Sequence, residues 1–286
     1  MPRTFEGRAA MERDLLTDRR KAIWRPFMRA VREYGLIRPG DRVAVCVSGG
    51  KDSMLLAVLM DLLARRGDIP FEAVNLVMDP GYSPENRRQI EENLARLEIR
   101  YTLFESDVFD VAYAQDRHPC FLCARMRRGC LYDHAAALGC NRIALGHHYD
   151  DVIETVLMAM LYGGQLQGMP PIRRSDNHPG MALIRPLYRV REDDILAWRD
   201  DYGLEFLRCA CRFTEGVQRR EETSRRQDVK ALIRRLSEDD PKVPANLFNS
   251  VRRVDLDSMV GWKRHGERHT FLEDFDQPPA GRAETD

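Results

Sequence analysis

Residues 48–53 have the types and spacing of an anion-binding turn. The segment reads Ser-Gly-Gly-Lys-Asp-Ser, and it lies between the apolar runs 42–47 and 54–60. Adjacent glycines let backbone N–H groups approach a phosphate, a helix N-terminus adds the positive end of its dipole, and Lys51 adds a full positive charge. We therefore expect a strand, a turn and a helix that together bind the phosphates of a nucleotide.

This turn differs from a Walker A loop. That motif needs a glycine five positions before Gly50 and a Ser or Thr after its lysine, whereas this chain has Val45 and Asp52 there. The alternative, a plain helix cap by Asp52 or Ser53, would need neither the paired glycines nor the lysine. The pattern favours a nucleotide site of another class.

Two pairs of cysteines could bind a metal ion or a cluster. Cys120 and Cys123 have C-x-x-C spacing, and Cys209 and Cys211 have C-x-C spacing far downstream. Three of these thiolates could hold an iron–sulfur cluster, all four could hold zinc, and the first pair alone could be a redox site. The cysteines by themselves leave these alternatives open.

A third candidate region follows Gly146 at an expected strand-to-helix turn. It reads Gly-His-His-Tyr-Asp-Asp over residues 146–151. Two histidines and two carboxylates at one helix start could bind Mg²⁺, orient a nucleotide or move protons. The three-residue separation of Asp151 and Glu154 also resembles a helix-capping pair.

Composition limits the class of protein. At 286 residues the chain has room for about two domains, or for one large α/β domain with extensions. No apolar run reaches the length of a membrane span and the N-terminus has no apolar leader, so we expect a cytoplasmic protein without membrane contact. In that reducing compartment, the seven cysteines are ligands, catalytic thiols or buried residues rather than disulfides.

Charge gives only local information. The 45 Lys and Arg residues balance the 45 Asp and Glu residues, so net charge argues neither for nor against a nucleic-acid partner. Basic residues nevertheless cluster at 19–32, 125–128 and 219–235. Each cluster fits either a solvated helix face or part of an RNA-binding surface.

Apolar periodicity predicts that strands and helices alternate. The expected strands are 42–47, 71–77, 101–104, 142–145 and 182–184, and the expected helices are 19–35, 52–66, 84–97, 124–138, 151–162, 191–202 and 217–236. This alternation implies an α/β fold with a doubly wound, mostly parallel sheet. Ligands bind beyond the carboxyl ends of such strands, where 48–53, 78–79 and 146–151 should meet.

Five motifs in order resemble those of the TtcA-type tRNA 2-thiocytidine synthetases, a family of PP-loop ATP pyrophosphatases. They are Ser48-Gly49-Gly50-Lys51-Asp52-Ser53, the stretch from Cys120 to Gly129, the stretch from Ala144 to Asp151, Tyr162-Gly163-Gly164 leading to Met169-Pro170-Pro171, and Ile184-Arg185-Pro186-Leu187. The resemblance implies a PP-loop (HUP-like, adenine nucleotide α-hydrolase-like) fold. It further implies an enzyme that adenylates the C2 oxygen of an anticodon-loop cytosine with ATP and replaces it with sulfur from a [4Fe-4S] cluster.

The resemblance also assigns roles to residues of this sequence. The catalytic set comprises Lys51, Asp52, Asp150, Asp151, Cys120, Cys123 and Cys209. The nucleotide is expected on Ser48, Gly49, Gly50, Lys51, Asp52, Ser53, Met78, Gly146 and His147, with Mg²⁺ on Asp52. The cluster is expected on Cys120, Cys123 and Cys209, with Cys211 as the alternative third ligand because the family commonly has C-x-x-C there. Cys46, Cys130 and Cys140 are interpreted as structural.

Four regions and several partners complete the expectation. Residues 1–40 form a helical extension that could contact tRNA, 41–190 the catalytic domain, 191–261 a helical region with the third cysteine, and 262–286 an unstructured tail. The implied partners are tRNA, a cysteine desulfurase or another persulfide or sulfide donor, and a second copy of the chain in a homodimer.

Other functions remain open at this stage. The same cluster could thiolate a tRNA uridine or a small molecule, although uridine-thiolating relatives typically add zinc-ribbon cysteine pairs and this chain has no cysteine before Cys46 or after Cys211. A PP-loop amine ligase would use the cysteines for structural zinc. A nucleotide-gated RNA-binding or redox-sensing protein would not turn over ATP.

Overall fold

A six-stranded sheet lies at the centre of the computed structural model, which describes residues 7–113, 119–207, 217–273 and 275. The strands are β1 (Arg42–Val47), β2 (Glu72–Asp79), β3 (Thr102–Glu105), β4 (Arg142–Ala144), β5 (Ile172–Arg174) and β6 (Ala182–Ile184). Their order is β3-β2-β1-β4-β6-β5, and every adjacent pair is parallel except β5 with β6. The order reverses between β1 and β4, which creates the crevice where such sheets bind ligands. The predicted doubly wound, mostly parallel fold is confirmed.

Helices connect the strands close to the predicted positions. They are α1 (Arg8–Leu16), a π-helix (Arg20–Trp24) that continues into α2 (Arg25–Glu33), α3 (Lys51–Arg66), α4 (Pro84–Arg96), α5 (Val108–Tyr113), α6 (Pro119–Ala137), α7 (Tyr149–Gly163), α8 (Glu192–Asp201), α9 (Val217–Asp239) and α10 (Val243–Ser250). Within the described ranges, no helix combines the length and apolar composition that a membrane span requires.

Strand β1 is buried on both of its faces. Val45 belongs to a large core that includes α3, whereas its neighbours Ala44 and Cys46 belong to a smaller core with Tyr132 of α6. Successive side chains of a strand point to opposite faces, so helices must cover both sides of the sheet. This packing fixes the end of β1, where residues 48–50 begin.

Helix α3 is a rigid support for that turn. Its side chains from Met54 to Met60 are fully buried. A helix that is apolar all round is held by packing on every side rather than by a single face. The N-terminus of α3 is therefore fixed relative to the sheet.

The chain after Trp262 contains regular structure, so the prediction of an unstructured tail is wrong for residues 262–273. Strands β7 (Gly261–Arg264) and β8 (Glu267–Thr270) form an antiparallel hairpin, and a 3₁₀ turn (Phe271–Glu273) follows. His265 and Gly266 both have positive φ, as a two-residue hairpin turn requires. The strands are short and largely exposed, and for that reason they lack the apolar alternation that predicts a strand. The proposed division at residues 40, 190 and 261 stays a prediction.

Because α3 is buried, shortening one of its apolar side chains should strongly lower the free energy of unfolding. Leu59→Ala should lower the free energy of unfolding by about 2–5 kcal/mol, because Leu59 is fully buried and its loss leaves a cavity. Leu161→Ala, on a helical residue that is 55% exposed, should change it by less than about 1 kcal/mol. Urea denaturation followed by circular dichroism compares the two, and equal effects would contradict the packing.

Candidate active site

The predicted turn lies between the end of β1 and the start of α3. Gly49 has φ +85°, and a Cβ built there would lie 2.6 Å from Cγ1 of Ile90. Ser53 Oγ donates a hydrogen bond to Gly50 O (2.9 Å) and accepts one from Ser48 N (3.1 Å). The turn is thus closed against the first turn of α3, whose N–H groups have no partners within the helix and suit a phosphate.

Gly146 packs directly on this turn. A Cβ at Gly146 would lie 3.0 Å from both the carbonyl carbon of Asp52 and the nitrogen of Ser53. These are backbone atoms, which cannot give way as the end of a flexible side chain can. Glycine therefore lets the two turns approach this closely, whereas a Cβ would require a backbone shift of a few tenths of an ångström.

His148 begins the helix that follows Gly146. Asp151 N donates to His148 Nδ1 (3.4 Å), and His148 N donates to Asp151 Oδ2 (3.0 Å). Asp151 therefore takes part in a capping box with His148, and its interpretation as a capping partner of Glu154 is wrong. A histidine N-cap was missed because Ser, Thr, Asp and Asn are the usual signals.

Asp151 is charged at neutral pH. Burial alone would favour the neutral acid, but the interactions with His148, including the hydrogen bond from its backbone N–H, and the charge of Arg226 hold the pKa of Asp151 below its usual range. Its neighbour Asp150 faces another element: Asp150 Oδ2 accepts a hydrogen bond from Glu192 N (2.7 Å), and Oδ1 pairs with Arg191 (3.0 Å). Asp150 thus joins α7 to the start of α8.

A cavity of about 430 Å³ opens beside the turn, between the sheet and α6. Seven predicted site residues line it, namely Ser48, Gly50, Asp52, Ser53, Gly146, His147 and Asp151. The other walls come from Cys46, Arg127, Arg128, Leu131, Tyr132, Ile143, Leu145 and Leu183. The expected meeting of residues 48–53 and 146–151 is confirmed.

Two polar atoms at this cavity are suited to a ligand. Asp52 Oδ1 is buried and accepts no hydrogen bond from the described residues, and His148 Nε2 lies 3.7 Å away. His147 Nδ1 is also buried without a hydrogen-bond partner among them. Burial lowers the pKa of His147 to about 4, so this imidazole is neutral at physiological pH.

Met78 lies apart from the turns 48–53 and 146–151 in the sequence, near the end of another strand. It is buried near the end of β2 and is not among the residues that line this cavity. The following residue, Asp79, accepts hydrogen bonds from Gly81 N (2.9 Å) and Tyr82 N (2.7 Å), which fixes the chain beyond β2. A role of Met78 in nucleotide binding stays a prediction.

Three charged residues at the site, Glu192, Arg226 and Lys230, were not predicted as site residues from the sequence. Lys51 Nζ lies 3.0 Å from Asp52 Oδ2 and 3.1 Å from Glu192 Oε1, and Lys230 Nζ lies 3.0 Å from Glu192 Oε2. Arg226 pairs with Asp151 at 3.0 Å. Arg226 and Lys230 belong to the basic cluster 219–235, and carboxylates of the protein bind both of them. A contact of this cluster with RNA stays a prediction.

Cys123 lies on the helix that forms one wall of the cavity. Cys123, Arg127 and Leu131 are spaced four residues apart and therefore share one face of α6. Arg127 and Leu131 line the cavity. Half-buried Cys123 therefore lies about one helical turn N-terminal to the part of α6 that forms the cavity wall. Cys120 belongs to the first turn of α6, and its side chain is outside the described part.

Cys209, the predicted third ligand, and Cys211, its alternative, both lie outside the described residues. Leu207, the last described residue before them, lies beside the turn 48–53, because its carbonyl oxygen is 3.9 Å from a Cβ built at Gly50. Among the described residues, no three metal-ligating side chains converge.

The remaining cysteines agree with a structural interpretation. Cys46 and Cys140 are buried, and burial raises the pKa of Cys46 to about 12. Burial also raises the pKa of Cys130. A thiol with a raised pKa is a poor nucleophile and a poor metal ligand at neutral pH.

Known proteins share this sequence pattern. A family model described as the PP-loop domain matches residues 21–214. The tRNA-cytidine(32) 2-sulfurtransferase of Anaeromyxobacter dehalogenans strain 2CP-1 is 32% identical over 278 residues, which cover 91% of this chain and 93% of the relative. The protein of the same name from Geobacter sulfurreducens is 36% identical over 242 residues, covering 82% and 91%.

One solved structure shares the fold. The U34-tRNA thiolase NcsA from Methanococcus maripaludis, solved with its [4Fe-4S] cluster, matches with a TM-score of 0.63 at 21% identity over 80% of this chain and 77% of that one. The family model covers more than half of this chain, and the two relatives align with this chain along most of their own length. This chain therefore belongs to the PP-loop family, among the tRNA-cytidine(32) 2-sulfurtransferases.

Proposed function

We propose that the protein is an ATP-dependent tRNA sulfurtransferase that makes 2-thiocytidine in the anticodon loop. The observation that carries this proposal is the shared cavity, which has the turn 48–53 on one side and the Cys123-bearing helix α6 on the other. Activation by ATP and delivery of sulfur need these two elements side by side. The names of the relatives support cytidine as the acceptor.

The first step is adenylation of the base. The C2 oxygen of cytosine attacks the α-phosphorus of ATP, the bond to the β-phosphate oxygen breaks, and pyrophosphate leaves. Lys51 and the N-terminus of α3 would stabilise the charge that develops on the phosphates. The base oxygen then belongs to AMP, which is a good leaving group.

Asp52 and Asp151 would hold Mg²⁺ against the phosphates. Both carboxylates line the cavity, Asp52 Oδ1 has no hydrogen-bond donor among the described residues, and carboxylate oxygens are the donors that Mg²⁺ prefers. The ion would neutralise charge on the departing pyrophosphate. His147, neutral and beside them, can donate or accept a hydrogen bond without adding charge.

The second step replaces oxygen by sulfur. A sulfur nucleophile adds at C2, the bond from C2 to oxygen breaks, and its electron pair leaves with AMP. Cys120 and Cys123 with Cys209, or Cys211 in its place, would hold a [4Fe-4S] cluster. When bound with three protein ligands, the cluster supplies a sulfide as nucleophile. The sulfur would come from a sulfide donor in the cytoplasm, or from a cysteine desulfurase or another persulfide donor together with a thiol reductant that reduces the persulfide sulfur to sulfide.

The acceptor must leave its stack to enter the cavity, which costs least in a single-stranded loop. Arg127 and Arg128 of α6 line the cavity and would bind phosphates of the flanking nucleotides. Burial lowers the pKa of nearby Arg185 to about 10, which still leaves the guanidinium charged at neutral pH. Residues 19–32 supply a further basic surface for tRNA.

Mass spectrometry of tRNA nucleosides tests the proposed function. Unmodified tRNA is incubated anaerobically with reconstituted protein, ATP, Mg²⁺ and sulfide. We expect 2-thiocytidine together with AMP. A thiouridine, or AMP without any thionucleoside, would overturn cytidine as the acceptor.

Removal of a cluster ligand should abolish the second step, the replacement of oxygen by sulfur. Cys123→Ser should abolish the absorbance of the cluster and 2-thiocytidine formation, because two thiolates cannot hold it. Cys130→Ser, on the same helix but with a structural role, should leave both within about twofold of wild type. Loss of both signals in Cys209→Ser but not in Cys211→Ser would identify the third ligand, and wild-type behaviour of Cys123→Ser would contradict the assignment.

The close packing of Gly146 predicts weaker ATP binding when a methyl group is added. Gly146→Ala should raise the KM for ATP at least about tenfold, because its Cβ would displace the backbone of Asp52 and Ser53. Gly163→Ala is the matched control, since a Cβ there meets nothing within 4 Å. Initial rates of pyrophosphate release at varied ATP concentrations give both values, and an unchanged KM in Gly146→Ala would contradict this geometry.

The buried His147 predicts a pH-dependent stability. Its pKa is about 4 in the native protein but near its ordinary value of 6.5 in the unfolded chain. The unfolded chain therefore binds a proton first, and stability is lost as the pH falls from 6.5 toward 4. His147→Gln should lose less stability between pH 7 and pH 4.5 than wild type in thermal melts. The same slope in both proteins would show that His147 does not contribute.

A further inference from the structure

Lys51 is held between two carboxylates in this structure. Its Nζ lies 3.0 Å from Asp52 Oδ2 and 3.1 Å from Glu192 Oε1, and its side chain is only 19% exposed. Asp52 is the next residue in the chain, so it moves with Lys51. Glu192 belongs to α8 and is therefore the independent anchor.

Glu192 itself is held from the other side by helix α9. Lys230 Nζ lies 3.0 Å from Glu192 Oε2, so the two carboxylate oxygens bind two different lysines. Burial would favour the neutral acid, but the hydrogen bond from Lys230 and the charge of Lys51 lower the pKa of Glu192 to about 2. The bridge is therefore ionised throughout the physiological range.

The bridge is part of a line of alternating charges. Lys230 also lies 3.5 Å from Glu154, Arg226 lies 2.8 Å from Glu154, and Arg226 lies 3.0 Å from Asp151. The line runs in the order Asp52, Lys51, Glu192, Lys230, Glu154, Arg226 and Asp151. The carboxylates at its two ends, Asp52 and Asp151, line the cavity. Both cations between Glu192 and Asp151, Lys230 and Arg226, belong to α9.

The geometry points to Glu192 as a positioning residue that fixes Lys51 at the phosphate site by tying it to Lys230 of α9. This inference rests on the proposed function, in which Lys51 stabilises the departing pyrophosphate. A lysine side chain has several rotatable bonds, and a fixed ammonium group lowers the barrier more than a mobile one. Helix α9 follows Cys209 and Cys211 in the sequence, so the position of Lys51 depends on a helix that comes after the proposed cluster ligands in the chain.

Glu192→Gln tests the inference, because it keeps the shape but removes the charge of the bridge. We expect kcat for pyrophosphate release with tRNA to fall about tenfold, while KM for ATP stays within about twofold. Asp193→Asn is the matched control, since this exposed neighbour on the same turn should leave both constants unchanged. An unchanged kcat in Glu192→Gln would overturn the inference.

A double-mutant cycle tests the link to α9. Lys230→Gln should lower kcat severalfold, and the double variant should be little worse than Glu192→Gln alone, because both substitutions break one bridge. Multiplicative losses would overturn the link, as would a Lys230→Gln variant with wild-type kcat. If Glu192→Gln has a different melting temperature from wild type, the kcat of Lys230→Gln alone tests the inference. The Lys230 side chain is one third exposed, so its substitution should disturb folding less.

Two different products distinguish a failure of this inference from a failure of the proposed function. Pyrophosphate release reports on the adenylation step, whereas 2-thiocytidine reports on the acceptor. Wild type that releases pyrophosphate without making 2-thiocytidine would refute the acceptor but not the role of Glu192. Wild-type kcat in Glu192→Gln together with normal 2-thiocytidine would refute the role of Glu192 alone.

Discussion

The close approach of two backbone turns determines the rest of the site. Strands β1 and β4 are parallel neighbours, with Val45 opposite Ala144, so their carboxyl ends lie side by side. The turn after β1 begins α3, and the turn after β4 carries Gly146 onto the backbone of Asp52 and Ser53. A side chain at that contact would push the two backbones apart, which would distort the cavity and the positions of the carboxylates that line it.

Charge pairing extends this site to distant parts of the chain. Taking ionised groups out of water is costly unless opposite charges and hydrogen bonds replace the solvent. Glu154, 2% exposed, shows the cost, since burial raises its pKa even though Arg226 and Lys230 are its partners. The carboxylates around Lys51 therefore need the cations of α9. This requirement makes a C-terminal helix part of a site that otherwise belongs to the sheet.

The sequence predicted those features that depend on local pattern. The strand, turn and helix around residues 48–53 follow from glycines, a lysine and apolar runs that are adjacent in the chain. His148 as a helix cap was missed because an aromatic cap has no strong local preference. Glu192 and Lys230 were missed because each is an ordinary surface residue type whose role depends on a partner from another element. The hairpin after Trp262 was missed because its strands bury too little apolar surface to show alternation.

Under the proposed function, there is a physical reason to place both chemistries at one cavity. An adenylated base is activated toward water as well as toward sulfur, so its lifetime must be short or its surroundings dry. Cys123 lies one helical turn before Arg127, at the wall of the cavity that the turn 48–53 also lines. A base activated on the turn 48–53 would then meet its sulfur nucleophile without leaving the cavity. Separate sites would require release of the activated tRNA into water, where hydrolysis would return cytidine and waste the ATP.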